Sequence, residues 1–426
     1  MAREMKNSGV QWIGEIPDAW SISKIKHNFG IISGCGFSDR YQGETTGDYP
    51  FCKASDINGM DKTVSSAANF VSRDVALRER YNIIPVNSIL FAKIGEALKK
   101  NHRKINTVEC IVDNNCQALY QKGDNDIHYM YYLFKQIDMT WFDNAGTIPC
   151  VNNLALKNFF IPIPPIPEQK AIADFLDAKC AEIDGLLADL DAEVKTLTEY
   201  KKSIIAETVT RGLNPSASMK ESGIPWIPMI PAHWDIEKFR YKLNTRRVSG
   251  YSDKQVLSVY REFGVIPKDS RDDNHNVTSA DTSKYKYVRP NDFVINKMKA
   301  WQGSMGISEH EGIVSPAYFV YEFADNSFIP RYFHYFMRNA YNIPEYRRLS
   351  GGVRDGQWDL SPYDLGNMPV IIPPIEEQKA ISAFLDQKLE AIESAIASKQ
   401  DQIEKLKAYK ASLIYEYVTG KKQVAL

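Results

Sequence analysis

Apolar residues recur at alternating spacings of four and three along two stretches of the chain. In the first they fall at Ala173, Leu176, Cys180, Ile183, Leu187, Leu190, Val194, Leu197 and Ile204, with Lys201 and Thr208 in phase. In the second they fall at Leu385, Leu389, Ile392, Ile396, Ile403, Leu406, Leu413 and Tyr417, with Ser382, Lys399 and Lys410 in phase. A seam sustained this long predicts a helix that packs lengthwise on another helix. Each stretch opens with Pro-Pro-Ile and then Glu168-Gln169 or Glu377-Gln378. Proline fits a first helical turn, and an acid there meets the positive end of the helix dipole. A helix of about 45 residues is about 68 Å long, too long for the interior of a small domain, so the two seams are expected to pack on each other.

The two stretches are copies. From Pro164 to Leu213 and from Pro373 to Lys422, 22 of 50 positions are identical without a gap. A shorter echo links Ser8–Trp20 (SGVQWIGEIPDAW) with Ser222–Trp234 (SGIPWIPMIPAHW), where seven of thirteen match. The chain therefore reads as arm, variable domain, helix, then the same again. A parallel helix pair would require the chain to return about 68 Å through a domain of about 140 residues with a radius of gyration of about 14 Å. Antiparallel packing needs no such return, and it brings Lys422 near the arm at Ser8. The expected boundaries are 1–163 for the first variable domain with its arm and 164–213 for the first helix. The second domain with its arm takes 214–372, and the second helix and tail take 373–426.

Within the variable domains, Asn87–Ile94, Asp292–Met298 and Ile313–Glu322 read as strands, and Asp126–Ile137 and Phe328–Asn342 as aromatic-rich helices. Aligning Lys93 with Lys297 pairs Asn87 with Asn291, Ile89 with Phe293 and Leu90 with Val294, so a shared fold is expected despite little identity. The fold class is α+β: two mixed α/β domains separated by a long antiparallel two-helix coiled coil, with a pseudo-twofold internal repeat.

Composition narrows the function. The chain is 44% hydrophobic and 25% charged, the balance of a globular protein, and its net charge of -1 gives no global sign of a nucleic-acid or membrane partner. The polar start and the lack of a long apolar run predict neither secretion nor membrane insertion, and six sparse cysteines read as reduced thiols of a cytoplasmic protein. No Cys-x-x-Cys pair, phosphate loop, complete Gly-x-Gly-x-x-Gly, Gly-x-Ser-x-Gly or His-Glu-x-x-His occurs. Neither a metal nor a catalytic residue is expected.

Charge by segment says more. Residues 21–163 hold 16 basic and 14 acidic side chains and 235–370 hold 19 and 17, while the first helix has 6 against 10. The bases cluster at Lys99, Lys100, Arg103 and Lys104 after Lys93, and in the second domain at Arg246 and Arg247, Lys297 and Lys299, and Arg347 and Arg348 with Arg354. Lys and Arg among Asn, Gln and aromatics suit phosphate and base-edge contacts. A solvated loop accounts for the same clusters. Asn152, in a turn-rich stretch before the first helix, has amide chemistry for adenine edges, but turn formation accounts for it equally. On the helices, Glu168, Gln169, Lys170, Tyr200 and Glu207 repeat as Glu377, Gln378, Lys379, Tyr409 and Glu416, and are expected to face outward and dock a protein. Small in-register changes at Thr210–Asn214, where the seam ends, are expected to be tolerated better than loss of a whole heptad.

Two copies of Pro-Pro-Ile-x-Glu-Gln-Lys-Ala-Ile-x-x-Phe-Leu-Asp opening a long helix, with Trp-Ile-x-x-Ile-Pro-x-x-Trp arms and dissimilar domains between them, resemble the specificity subunit of type I restriction-modification enzymes. The resemblance covers nearly the whole chain. It implies two target-recognition domains, each reading half of a bipartite asymmetric site on double-stranded DNA, and helices that bind two modification subunits. It further implies that S-adenosylmethionine and adenine methylation belong to those subunits, and that ATP, Mg and cleavage belong to restriction subunits. This chain would itself carry no cofactor and no catalysis. Two other classes remain: a self-contained DNA methyltransferase, for which Asn/Asp-Pro-Pro-Tyr/Phe is missing, and a structural coiled-coil tether, which does not account for the two diverged domains.

Overall fold

The computed structural model describes residues 3–59, 61–144, 146, 148–271, 278–279, 281–352 and 358–424. Both seams are helices, Ile166–Arg211 with 46 residues and Ile375–Val418 with 44. Each begins just after a proline pair, because the residue before proline avoids the helical region. Each ends at a glycine in the left-handed region, Gly212 and Gly420, both with φ +75°. These positions require glycine twice over. A Cβ on Gly212 would sit 3.1 Å from the Trp234 ring, and one on Gly420 would run into Pro17.

Contacts divide the chain into two units, Met1–Asp189 with Gln402–Leu426, and Leu190–Asp401. Each unit contains part of both long helices. In the first, the start of one helix lies against the end of the other. Phe175 meets Tyr417 with ring centroids 4.5 Å apart, and Lys410 donates to both oxygens of Asp184 at 2.6 Å. In the second, Lys201 pairs with Glu393 at 2.5 Å and Lys399 with Glu193. Every seam position named from the sequence is buried or half-buried. Burial is deepest near the helix ends, where the mixed domains add a third wall, as at Leu176 and Leu385.

Each unit carries a sheet of the same plan. In the first the strand order is Phe29–Ser33, Cys116–Gln121, Ile89–Ala92, Arg103–Asn106, Thr63–Val64, antiparallel except for the last pair. In the second it is Leu243–Thr245, Tyr318–Phe323, Phe293–Asn296, Met305–Ile307, all antiparallel. The alignment on the two lysines holds, since Lys93 and Lys297 each follow the central strand by one residue. Asn87 and Asn291, with φ 61° and 71°, make the same left-handed turn before it, a conformation asparagine tolerates better than most residues.

An aromatic helix covers the sheet, Ile127–Lys135 in one unit and Pro330–Arg338 in the other. Edge-on ring contacts join Phe29 to Phe134 at 5.2 Å and Phe293 to Phe333 at 5.1 Å. The stretch expected as one strand over Ile313–Glu322 is two, Gly312–Val314 and Tyr318–Phe323. Pro316 lacks the N–H that would continue the ladder, and the chain turns there with Tyr318 N donating to Ser315 O at 2.9 Å.

Buried polar contacts tie each domain to a helix start. Trp20 Nε1 donates to Glu168 at 2.9 Å, and Trp234 Nε1 to Glu377 at 3.0 Å. Gln169 donates to Pro164 O and Asn125 Oδ1 and accepts from Asp126 N, at 2.9, 3.0 and 2.9 Å. Gln378 does the same with Pro373 O, Ser327 O and Ile329 N at 2.8, 2.8 and 2.7 Å. Helix ends are held too, because Tyr129 donates to Val418 O and Tyr332 to Val209 O, each at 3.0 Å. The expectation that Glu168, Gln169 and Gln378 face outward is thus corrected: all three are buried, both glutamines completely. Their repetition preserves a seat for the helix. The stretch Thr210–Asn214 is itself packed, since Thr210 is buried and Gly212 abuts Trp234.

Replacing Gln169 or Gln378 with leucine strands a backbone N–H and two acceptors in each case. The expected loss is about 3 kcal/mol in urea unfolding, against less than about 0.5 kcal/mol for the exposed Lys170→Ala. Equal shifts for the two kinds of variant would show that the seat does not hold the domain.

Candidate nucleic-acid interface

The basic cluster of the first unit separates into two kinds of side chain. Lys99 and Lys100 are exposed, Lys99 pairing with the still more exposed Glu96 at 2.6 Å. Arg103 is only 3% exposed, and its guanidinium donates to Asn101 O, Asn101 Oδ1 and Ile137 O at 2.8, 2.8 and 2.6 Å. Burial pulls its pKa down to about 10, so it stays charged at neutral pH. Lys104 is buried with Nζ 3.8 Å from Asp61. These two belong to the scaffold, a correction to the expected surface loop: they lie on the strand Arg103–Asn106, which is covered on both sides.

Lys93 is half-buried at the end of the central strand, where its carbonyl accepts from Val151 N at 2.9 Å. Asn152 is a helix cap. Its Oδ1 accepts from Leu154 N and Ala155 N at 2.9 and 3.1 Å, and its Nδ2 donates to Asn144 Oδ1 at 3.0 Å. Turn chemistry accounts for it, as in other N-caps, and it is corrected as a base reader.

The second unit divides its arginines in the same way. Arg246 is buried between Asp292, at 3.0 Å, and Glu322, and is corrected to a structural ion pair. Its neighbour Arg247 is exposed. Lys297 is half-buried and pairs with Asp359 at 2.7 Å, while Lys299 is exposed. Arg347 lies 5.4 Å over the Trp358 ring, itself 5.3 Å from Trp301. Arg348 is held bidentately by Glu345 at 2.6 and 2.7 Å. Arg354 lies outside the described residues.

The structure adds groups that the clusters of basic residues do not include. Lys284 and Lys286 join Arg247 around a cleft floored by Phe319 and Tyr321. The Lys286 pKa is lowered by burial and by the positive charges of Arg247 and Lys297. The alternating run Lys284-Tyr285-Lys286-Tyr287 was the available signal, since such a pattern suits a strand with one polar face, although the strand itself begins only at Lys286. In the first unit Gln117 is fully buried on the central sheet, with no partner for either amide atom. On the helices, Tyr200 and Tyr409 are exposed at 49% and 54%, as are Lys170, Lys379 and Glu207, with Lys379 pairing to Glu376 at 2.8 Å. Glu377 is half-buried under Trp234, and Glu416 pairs with Lys422 at 2.9 Å.

Among the described residues no group of three His, Cys, Asp or Glu side chains is placed to hold a metal, and no helix is long and apolar enough to cross a membrane. All six cysteines are free thiols. The exposed cations and aromatic surfaces are chemistry for holding a polyanion.

The profile of the type I restriction modification DNA specificity domain matches residues 17–196 and 253–405. The type I restriction enzyme MjaVIII specificity subunit of Methanocaldococcus jannaschii is 24% identical over 440 residues, covering 96% of this chain and 94% of its own. The EcoKI specificity subunit of Escherichia coli is 20% identical over 406 residues, covering 88% and 83%. Among solved structures, the HsdS subunit from Thermoanaerobacter tengcongensis superposes with a TM-score of 0.53 at 17% identity, over 96% of this chain and 98% of that one. With two such regions filling most of a chain whose two sheets follow one plan, this protein belongs to the type I restriction-modification DNA specificity family.

Proposed function

We propose that each unit reads one half of a bipartite, asymmetric DNA site, and that the long helices form an antiparallel coiled coil docking two copies of a modification subunit. The observation that carries this reading is the duplicated seat: the same Trp–Glu, Gln–backbone and Tyr–carbonyl bonds hold two sheets whose exposed charges differ. A repeated scaffold with unlike surfaces suits two unlike half-sites. Heptad seams in matching phase and the ion pairs within each unit support the antiparallel pairing. S-adenosylmethionine, ATP, Mg and cleavage would belong to the modification and restriction subunits.

On this reading the DNA-facing cations are Lys99 and Lys100 in the first unit and Arg247, Lys299 and Arg347 in the second, with Lys93, Lys297 and Arg348 at their margins. The partner-facing residues are Lys170, Lys379, Tyr200, Tyr409 and Glu207. Their exposure on equivalent helix positions favours two copies of one partner.

Lys99→Ala with Lys100→Ala is expected to make the log–log salt dependence of DNA binding shallower by about 1.8, since each lost phosphate contact removes about 0.9. An unchanged slope removes this loop from the interface. Native mass spectrometry of the assembled complex should find two modification subunits per chain, and a single copy at saturation contradicts the symmetry. Inserting four residues into each long helix, after Asp189 and after Asp401, adds about 6 Å or close to two base pairs. Methylome sequencing is expected to show both half-sites kept and the unread spacer lengthened. The old spacer beside an altered half-site would refute the helices as a ruler.

A further inference from the structure

We infer that the cleft of Arg247, Lys284, Lys286 and Phe319 in the second unit seats a DNA backbone phosphate, and that the matching place in the first unit keeps a cation only at the position of Lys284. The inference rests on the DNA-recognition reading and adds where the duplex is gripped. Lys286 lies on the short strand Lys286–Val288, donates to Tyr318 O at 2.5 Å and sits 5.8 Å from the Phe319 ring. Lys284, in the turn just before that strand, lines the same cleft, while Tyr285 and Tyr287 are buried. Arg247 completes the rim.

Charge makes the cleft a site for an anion. Arg246, one residue earlier, is neutralised by Asp292 and Glu322, yet the charges that act on Lys286 are those of Arg247 and Lys297, both positive. Among the described residues no carboxylate stands within ion-pairing distance of Arg247, Lys284 or Lys286. Like charges gathered beside an apolar ring repel one another, and an entering phosphate relieves that repulsion while accepting several N–H bonds. Lysines act on phosphate as point charges, and phosphate contacts carry no sequence information.

Strand register locates the matching place in the first unit. Phe319 pairs with Ile295 and Gln117 with Phe91, on equivalent strands. Arg247, two residues past the Thr245–Tyr321 pair, stands opposite Phe319 by register, where Ser33 pairs with Gln117. Lys286 precedes the left-handed Asn291 by five residues, as Asn82 precedes Asn87. Serine and two amides therefore occupy the places of two cations and an aromatic ring, while Lys284, seven residues before Asn291, is matched by the exposed Arg80, seven before Asn87, so three cations face one. The grip on the backbone is lopsided at this place.

The test is Arg247→Gln with Lys284→Gln in the full-length chain. Both side chains are exposed, so the variant should melt with the wild type; Lys286→Gln is kept separate because it also frees Tyr318 O. Affinity is measured by fluorescence anisotropy across a salt series, on a duplex bearing the methylated site and on an unrelated duplex. The expected result is a slope shallower by about 1.8 on both, or about 12-fold less change in affinity between about 50 and 200 mM salt. Lys388→Gln, which removes a charge on the second long helix, is expected to leave the slope alone. A wild-type slope in the double variant overturns the phosphate seat and leaves DNA recognition standing. A loss confined to the methylated-site duplex overturns it too, because that marks base reading. If the wild type binds neither duplex, the DNA reading itself fails and the seat fails with it.

Discussion

Everything in this chain depends on a buried polar lock at the start of each long helix. Glu168 and Glu377 each take an indole N–H from the arm, and Gln169 and Gln378 each satisfy a backbone donor and two acceptors that would otherwise be stranded. An apolar contact tolerates sliding. A set of bonds with fixed directions in a dry pocket does not, because every unmade bond costs desolvation without return. The lock therefore fixes the angle at which each sheet domain meets the helix, and the tyrosine bonds to Val418 O and Val209 O repeat the constraint at the helix ends.

That constraint explains which residues are the same in both copies. The shared residues include those of the seat and the seam, beside exposed pairs such as Lys170 with Lys379 and Tyr200 with Tyr409; the sheet domains keep their strand order and the Asn87 and Asn291 turns while their surfaces diverge. Adjacent residues show how sharply scaffold and surface separate. Arg246 is sealed between two acids and Arg247 faces solvent. Arg103 staples the end of the aromatic helix by binding Ile137 O, four residues from an exposed Lys99.

The helices were legible because a four-three pattern held over so many turns fits a long packed helix and no strand, and the proline pairs mark their starts. The central strands and the aromatic helices were legible for the same reason, through strong periodicity. What escaped were properties set by tertiary burial. A run of basic residues looks alike whether it lies on a loop or on a covered strand, so Arg103, Lys104 and Arg246 passed for surface charge. Glu168 and Gln169 passed for an exposed first turn, since nothing local reveals an indole or an amide arriving from residues far away in sequence. The break at Pro316 was readable from proline's missing donor, and the alternation of lysine and tyrosine at 284–287 from strand periodicity.

The division between seat and surface also bears on how such a chain changes its target. A substitution at Gln169 leaves polar groups unmet inside one unit, whatever the DNA sequence. A substitution at Lys284 or Arg247 removes a charge from a side chain that no acid in the described structure requires. The sites where charge goes unbalanced are those the fold can spare. Gln117 is a different case, buried in a sheet with both amide atoms unpartnered. Changing it to a shape-matched apolar residue would remove two unmet polar atoms and so favour stability.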